Sequence, residues 1–185
     1  YDIWCLGLEQ PQLRLTYTRR PNQSGIEEPD IKSPYEAPPG RKLGYAGKYA
    51  LEQFFKERGI NEGAHLYYED DGYPVGGLGR SGSEAVGAIM AAAVIYGIKL
   101  SRNDVVIASA KGEPGEHKDN VAASTNGRLN IIVPSTPYTG TPSVDFYDIP
   151  ENLGLVIGFL NFSKREASRL LVAGIGLLLV GTAGV

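Results

Sequence analysis

Cysteine and basic charge are both scarce in this chain of 185 residues. Cys5 is the single cysteine, so no disulfide can form within the chain, and a secreted disulfide scaffold or a multi-cysteine zinc site is excluded. The 18 Lys and Arg residues stand against 21 Asp and Glu residues, and the net charge of -3 lacks the footprint of a nucleic-acid-binding protein. Because cysteine usage of this kind favours a reducing compartment, we predict a cytoplasmic protein.

Hydrophobic runs long enough for a membrane anchor are also missing from the pattern. Residues 170–185 carry no charge, but the run is interrupted by glycines and is shorter than the roughly 18 to 20 residues that span a bilayer. We therefore expect a buried strand or helix there, and no membrane partner. The chain begins with Tyr1 inside a strand-like run, and we expect its N-terminus to be cut, with the first strand missing.

Alternating and helical periodicities predict a mixture of strands and helices. Residues 1–20 form two extended segments, which we expect to pair antiparallel with each other. Residues 21–40 are rich in proline and predict a long surface connection. Residues 45–58 have helical spacing with Gly59 at the position of a C-terminal cap, and residues 65–69 alternate as a short strand.

The sequence after residue 83 predicts a buried helix, a shorter helix and two further strands. Residues 84–96 are small and apolar nearly all round, which predicts a wholly buried helix. A Ser101 and Asp104 capping box precedes a short helix over residues 105–111. Apolar runs at residues 129–133 and 153–160 fit strands.

Glycine is abundant, with 24 residues, and it is concentrated before the buried helix at residues 74–83. A glycine-rich loop that opens a helix can direct backbone N–H groups and the helix dipole at a bound phosphate. The spacing matches neither the Walker loop nor the dinucleotide fingerprint. A tight turn that needs glycine only for steric reasons is the alternative.

A polar cluster at residues 113–120 could supply ligands or only a solvated loop. Mg²⁺ binds through one or two carboxylates together with phosphate oxygens, so a carboxylate here could help to hold it. Metal binding by His117 is not expected, because the only other histidine, His65, lies on a separate strand.

Several motifs together resemble the GHMP family of small-molecule kinases, and most closely its homoserine kinases. The family's loop Pro-x-x-x-Gly-Leu-Gly-Ser-Ser-Ala is similar to residues 74–82, and its His-x-Asp-Asn-Val-Ala segment matches residues 117–122. Tyr1 and Asp2 look like the end of the family's first motif, and residues 163–169 resemble its Thr-Lys-Glu-Ala-Arg element.

The resemblance implies an α+β, two-domain GHMP-kinase-like fold. Residues 1–149 would form a ribosomal-protein-like, ATP-binding N-terminal domain without its first strand, and residues 150–185 would begin an α/β sandwich C-terminal domain. The implied cofactors are ATP and Mg²⁺, the implied substrate is L-homoserine in threonine biosynthesis, and the implied assembly is a homodimer. Two alternatives stay open, which are another GHMP kinase of the mevalonate, galactose or shikimate type and a nucleotide-binding paralogue without transferase activity.

The resemblance also implies roles for individual residues. Ser81 and Glu113 would hold Mg²⁺, and with Asn120, which would hydrogen-bond the reacting hydroxyl, they form the implied catalytic set. The implied nucleotide-binding residues are Pro74, Val75, Gly76, Gly77, Leu78, Gly79, Arg80, Ser81, Gly82 and Ser83. The implied substrate-binding residues are Asp2, His117, Asn120 and Arg169.

Three residues depart from the family's loop. Arg80 replaces the first serine, Gly82 replaces an alanine and Glu84 replaces a small polar residue. Arg80 could clamp phosphate, while Glu84 would suit the helix dipole but repel a nearby triphosphate. The alternative is that both charged side chains face solvent.

Overall fold

The computed structural model describes residues 3–6, 13–34, 36, 42–70, 79–113, 116, 118–133, 143–148, 153–155 and 179–181. The chain divides into two compact units, Tyr1–Tyr147 and Asp148–Val185. In chain order, the described elements are β1 (Ile3–Leu6), β2 (Leu13–Arg20), β3 (Gly25–Ile26), β4 (Asp30–Lys32), α1 (Tyr45–Arg58), β5 (Gly63–Asp70), α2 (Arg80–Ile95), α3 (Arg102–Ala110), α4 (Asp119–Asn126), β6 (Leu129–Val133), β7 (Ser143–Tyr147), β8 (Leu153–Leu155) and β9 (Leu179–Gly181).

Strand β5 is the centre of one sheet in the first unit. It pairs antiparallel with β2, in a register that runs from Leu13 opposite Asp70 to Arg20 opposite Gly63. It pairs parallel with both β3 and β4. A parallel pair needs a crossover connection, and α1 lies in the connection between β4 and β5. Residues 21–40, which we predicted as a surface connection, therefore also contribute two short strands.

The expected pairing of the first two extended segments with each other is wrong. β1 pairs antiparallel with β6, which in turn pairs with β7, whereas β2 belongs to the sheet of β5. The alternation of apolar and polar residues identifies a strand with two different faces, but it does not identify the strand that lies beside it.

Helix α2 lies between two clusters of buried side chains. One cluster joins it to α1 and β5, and the other joins it to α3, α4 and β6. The first cluster is centred on the fully buried side chains Leu51, Phe54, Leu66, Tyr68 and Ile89. The prediction that this helix is wholly buried is wrong at its C-terminal end, because Met90, Val94 and Ile95 are exposed, Val94 at 82%. Met90 and Val94 lie one turn apart on the outward face of the helix, whereas Ala92 and Ala93 beside them stay buried.

Helix ends follow the sequence signals closely. Helix α1 ends at Gly59, whose φ of 64° is the left-handed conformation that glycine adopts without strain. The predicted capping box of α3 is confirmed, since the Asp104 N–H donates to the Ser101 hydroxyl and the Ser101 N–H donates to the Asp104 carboxylate. The helix begins at Arg102 and ends at Ala110, close to the predicted bounds.

In the second unit the described residues form one antiparallel pair, β8 with β9, in which Leu153 lies opposite Gly181. β8 is the described part of the strand predicted at residues 153–160, and β9 lies within the uncharged run at residues 170–185. Within the described ranges, no helix is long and apolar enough to cross a bilayer.

Candidate functional site

The candidate site lies where β5 ends and α2 begins. Along β5 the buried positions alternate with half-buried ones, so Leu66, Tyr68 and Asp70 share the face that packs on the core. Asp70, one residue beyond the strand predicted over residues 65–69, is thus the last residue of β5, and its carboxyl group is fully buried. A buried carboxylate requires a partner, and the partner comes from α2.

Arg80 is the first residue of α2, and its guanidinium is turned inward. Its Nη1 donates to Asp70 Oδ2 at 2.5 Å, and its Nε donates to Glu84 Oε1 at 3.0 Å, one helical turn further on. The Arg80 side chain is only 5% exposed. The two sequence-based alternatives, a phosphate clamp or a solvent-facing side chain, are therefore both replaced by a buried ionic contact with two carboxylates.

Glu84 connects this ionic contact to a third element. The backbone of Gly44, the residue that precedes α1, lies close enough to the Glu84 carboxylate to lower its pKa. Burial raises the pKa of Glu84, whereas the Gly44 and Arg80 contacts lower it and the negative charge of Glu113 raises it again. Glu84 does not face solvent, and it ties the start of α2 to the start of α1.

The N-terminus of α2 has the geometry of an anion site. Gly79 precedes the helix with a φ of 72°, and as a glycine it has no side chain of its own to cap this end. The first hydrogen bond of the helix runs from the Ser83 N–H to the Gly79 carbonyl at 3.1 Å. The earlier N–H groups of a helix have no partner within it and point out of its end, where the dipole favours negative charge. Triphosphate oxygens fit such an end.

Asn120, on the first turn of α4, packs directly against this helix start. A Cβ atom at Gly79 would lie 3.0 Å from Asn120 Oδ1, and one at Gly82 would lie 2.9 Å from the Asn120 backbone carbonyl carbon. One turn further along both helices, the Ser83 and Ser124 hydroxyl oxygens are 3.1 Å apart. The structure therefore brings together Gly79, Gly82 and Asn120, three of the residues that the sequence singled out.

Glu113 is buried in the turn that follows α3, where its N–H donates to the Ala110 carbonyl at 2.9 Å. It lies near enough to Glu84 for the two negative charges to interact. Ser81 is half-buried on the first turn of α2. The described part of the chain contains no group of three or more His, Cys, Asp or Glu side chains that could hold a metal ion by themselves. The pairing of Ser81 with Glu113 around Mg²⁺ stays a prediction.

The remaining predicted site residues are Pro74, Val75, Gly76, Gly77, Leu78, Asp2, His117 and Arg169, and they lie outside the described residues. Sequence reasoning missed Asp70, although the alternation of Leu66 and Tyr68 continues to it. It also missed the partnership of Arg80 with Glu84, although a separation of four residues on a helix places two side chains on one face.

Comparisons with known proteins show what the chain resembles. Residues 45–128 match the family described as GHMP kinases N terminal domain. The homoserine kinase of Sulfurisphaera tokodaii is 38% identical over 102 residues, which are 52% of this chain and 31% of that protein.

Two solved structures have a similar fold. The homoserine kinase from Cytophaga hutchinsonii has a TM-score of 0.65 and 20% identity, over 91% of this chain and 54% of that one. The L. major mevalonate kinase, in complex with R-mevalonate, has a TM-score of 0.59 and 19% identity, over 76% of this chain and 44% of that one. This chain thus spans about a third of the Sulfurisphaera protein and about half of each solved chain.

Proposed function

We propose that this chain, whose residues 45–128 are a GHMP kinase N-terminal domain within an α+β GHMP-kinase fold, belongs to a kinase that phosphorylates the side-chain hydroxyl of L-homoserine. The observation that carries the proposal is the helix start at Gly79, a residue with no capping side chain of its own, against which Asn120 packs. The homoserine kinase names of relatives support this acceptor. The mevalonate kinase neighbour has the same fold, and a fold alone does not select an acceptor.

The described residues fit the cofactors that such a kinase requires. The N–H groups of the first turn of α2 would bind phosphate oxygens of ATP, and the helix dipole would add to their attraction. The Ser81 hydroxyl and the Glu113 carboxylate would hold Mg²⁺, which takes few protein ligands when phosphate oxygens complete its coordination. Bound Mg·ATP would supply the phosphoryl group and neutralise part of its charge.

Asn120 would hydrogen-bond the acceptor hydroxyl beside the phosphate-binding helix start. No dedicated base is required, because phosphoryl transfer depends mainly on the positions of the reacting groups and on charge stabilisation. Asp2, His117 and Arg169 are proposed to bind the amino acid, with Arg169 as a two-pronged contact to its carboxylate. The proposal includes a cytosolic homodimer that acts in threonine biosynthesis.

An acceptor panel tests this function directly. The intact protein is incubated with Mg·ATP and homoserine, mevalonate, galactose or shikimate, and ADP release and product phosphate are measured. We expect turnover with homoserine and none with the other three acceptors. Turnover with another acceptor would identify that compound, and not homoserine, as the substrate. Nucleotide binding without turnover would favour the alternative of a nucleotide-binding paralogue without transferase activity.

Ser81→Ala tests the nucleotide site. Loss of one Mg²⁺ or phosphate contact should lower kcat/KM for ATP about tenfold or more, which corresponds to at least about 1.4 kcal/mol. Ser24→Ala is the matched control, because Ser24 is exposed between β2 and β3, far along the chain from α2. Normal turnover of a folded Ser81→Ala protein would refute the assignment of this helix start as the phosphate site.

A further inference from the structure

Arg80 joins three chain segments that meet at the candidate nucleotide site. Its Nη1 contacts Asp70 at the end of β5, and its Nε contacts Glu84 within α2. The Glu84 carboxylate in turn lies beside the backbone of Gly44, at the start of α1. Asp70 and Arg80 also stand on either side of residues 71–79, so their contact joins the two ends of that stretch.

The Nη1 and Nε groups of Arg80 contact their carboxylates in the protein interior, where the Arg80 side chain is only 5% exposed. Asp70 and Glu84 are almost completely buried with it. Charges removed from water in this way depend on one another, because water cannot replace a lost partner. The position of the first turn of α2 is therefore coupled to the position of the last residue of β5.

The first turn of α2 has little freedom to move relative to α4. A Cβ atom at Gly82 would lie 2.9 Å from the Asn120 backbone carbonyl carbon, so the two helix backbones are already in close contact there, and one at Gly79 would press on the Asn120 side chain at 3.0 Å. A small displacement of the helix start would move the first-turn N–H groups away from Asn120, beside which the acceptor hydroxyl is proposed to bind. Displacements of about 1 Å in a catalytic site are sufficient to cost rate.

We infer that Arg80 is a positioning residue of the nucleotide site, which holds the start of α2 through Asp70 and Glu84 without contacting the nucleotide. Its guanidinium does so because two separate N–H groups reach two separate carboxylates at fixed angles. A lysine ammonium cannot reproduce that planar arrangement. Arg80 also offsets negative charge beside the triphosphate, where Asp70, Glu84 and Glu113 would otherwise repel it. This inference rests on the proposed function.

The first measurement is the affinity of the intact protein for a non-hydrolysable Mg·ATP analogue, by titration calorimetry. We expect Arg80→Ser to weaken binding about tenfold or more, and Arg80→Lys to weaken it less but by more than about threefold. Arg102→Ser, at an exposed position on α3, is the control and should bind like the wild type. In steady-state assays, KM for ATP should rise while KM for homoserine stays within about twofold.

The second measurement is rescue. Arg80→Ser leaves Asp70 and Glu84 buried with less positive charge, so Arg80→Ser combined with Glu84→Ser should recover part of the lost affinity. Affinity of a folded Arg80→Ser protein within about twofold of the wild type would overturn the inference. If Arg80→Ser does not fold, Arg80→Lys is measured in its place, and an affinity within about twofold of the wild type would again overturn the inference.

Failure of this inference can be distinguished from failure of the proposed function. A wild type that binds the analogue and phosphorylates homoserine, with variants that bind equally well, overturns only the role of Arg80. If the wild type binds the analogue, the Arg80 variants bind it more weakly and no acceptor of the panel is phosphorylated, only the proposed kinase activity is overturned. A wild type that binds no analogue overturns both.

Discussion

Strand β5 has a charged pair at each end, and the two pairs differ in their contact with water. Before its first residue, Glu62 accepts hydrogen bonds from Arg19 Nε at 2.5 Å and Nη2 at 2.6 Å, with side chains 25% and 49% exposed. At its last residue, Asp70 contacts Arg80, and both are buried. Arg19 donates two hydrogen bonds to one carboxylate, whereas Arg80 donates one to each of two carboxylates, Asp70 and Glu84. Water can replace a lost partner only at the Glu62 end.

This difference in exposure determines how much each ion pair contributes to stability and how much its loss costs. An exposed pair contributes little to stability, because each ion is already well solvated when the pair is broken. A buried pair gains little over apolar side chains of the same volume, yet breaking it is costly. The buried pair therefore makes the position of α2 sensitive to one side chain, and it occurs at the end of β5 where the candidate site lies.

Removing the buried charge should have the largest effect. Arg80→Met leaves two buried carboxylates without their guanidinium, and we expect the free energy of unfolding to fall by about 3 to 5 kcal/mol. Chemical denaturation followed by circular dichroism measures this change. A fall below about 1 kcal/mol would mean that solvent reaches Asp70 and Glu84, and the contrast between the two ends of β5 would disappear.

Helix α2 offers a second test, with two glycines on the same helix. A Cβ atom at Gly82 would lie 2.9 Å from Asn120 atoms, so Gly82→Ala should cost about 1 to 3 kcal/mol by forcing α2 and α4 apart. A Cβ atom at Gly87 would meet only Leu15, at an ordinary 3.4 Å. Gly87→Ala should therefore stabilise the protein by about 0.5 to 1 kcal/mol through the helix preference of alanine.

The critical result is that Gly82→Ala lowers the free energy of unfolding and Gly87→Ala raises it in the same denaturation assay. Equal effects at both positions would show that the contact of α2 with α4 is no tighter near the site than in the middle of the helix. In that case the close approach of Gly82 to Asn120 could not restrain the helix start.

The exposed pair should give the smallest effect. Arg19→Gln should change the denaturation midpoint at neutral pH far less than Arg80→Met does, and high salt should reduce the difference from the wild type further. The Arg19 contact lowers the pKa of Glu62, so its contribution is present above the ordinary glutamate pKa of about 4.3 and is lost as the pH falls through the lowered value. The variant should therefore lose less stability on acidification than the wild type. A midpoint shift as large as that of Arg80→Met would contradict the comparison.

Local signals predicted α1 and α3 well because the interactions that decide their ends are local. Helix α2 begins at Arg80, four residues before the predicted start, and α4 was not predicted. Gly59 ends α1 through its own backbone conformation, and the Ser101 and Asp104 cap is complete within four residues. Strand β6 was also predicted at residues 129–133 from its apolar run. None of these features depends on a distant part of the chain.

The features that sequence reasoning missed depend on distant contacts. Nothing between residues 1 and 20 indicates that β1 pairs with β6, more than a hundred residues later. Arg80 and Glu84 were interpreted as solvent-facing or phosphate-facing because a charged side chain is usually exposed. Their burial follows from Asp70, whose own burial follows from the face of β5 on which it lies.

The family resemblance identified part of the candidate site, at residues that the structure brings together. Gly79 and Asn120 were singled out by resemblance, and both lie at the helix start of α2. The contact of Glu84 with the Gly44 backbone could not be predicted, because Gly44 belongs to no motif and reaches the site only through the docking of α1 on α2.

The central position of β5 has a consequence for folding during synthesis. Strands β2, β3 and β4 all pair with β5, and among the described residues of this sheet none of these three strands pairs with another of the three. A growing chain therefore carries residues 13–32 without their sheet partner until residue 70 has left the ribosome. Such long-range pairing slows folding and leaves strand edges open to other chains. We expect this segment to be where a translational pause or a chaperone has the greatest influence on yield.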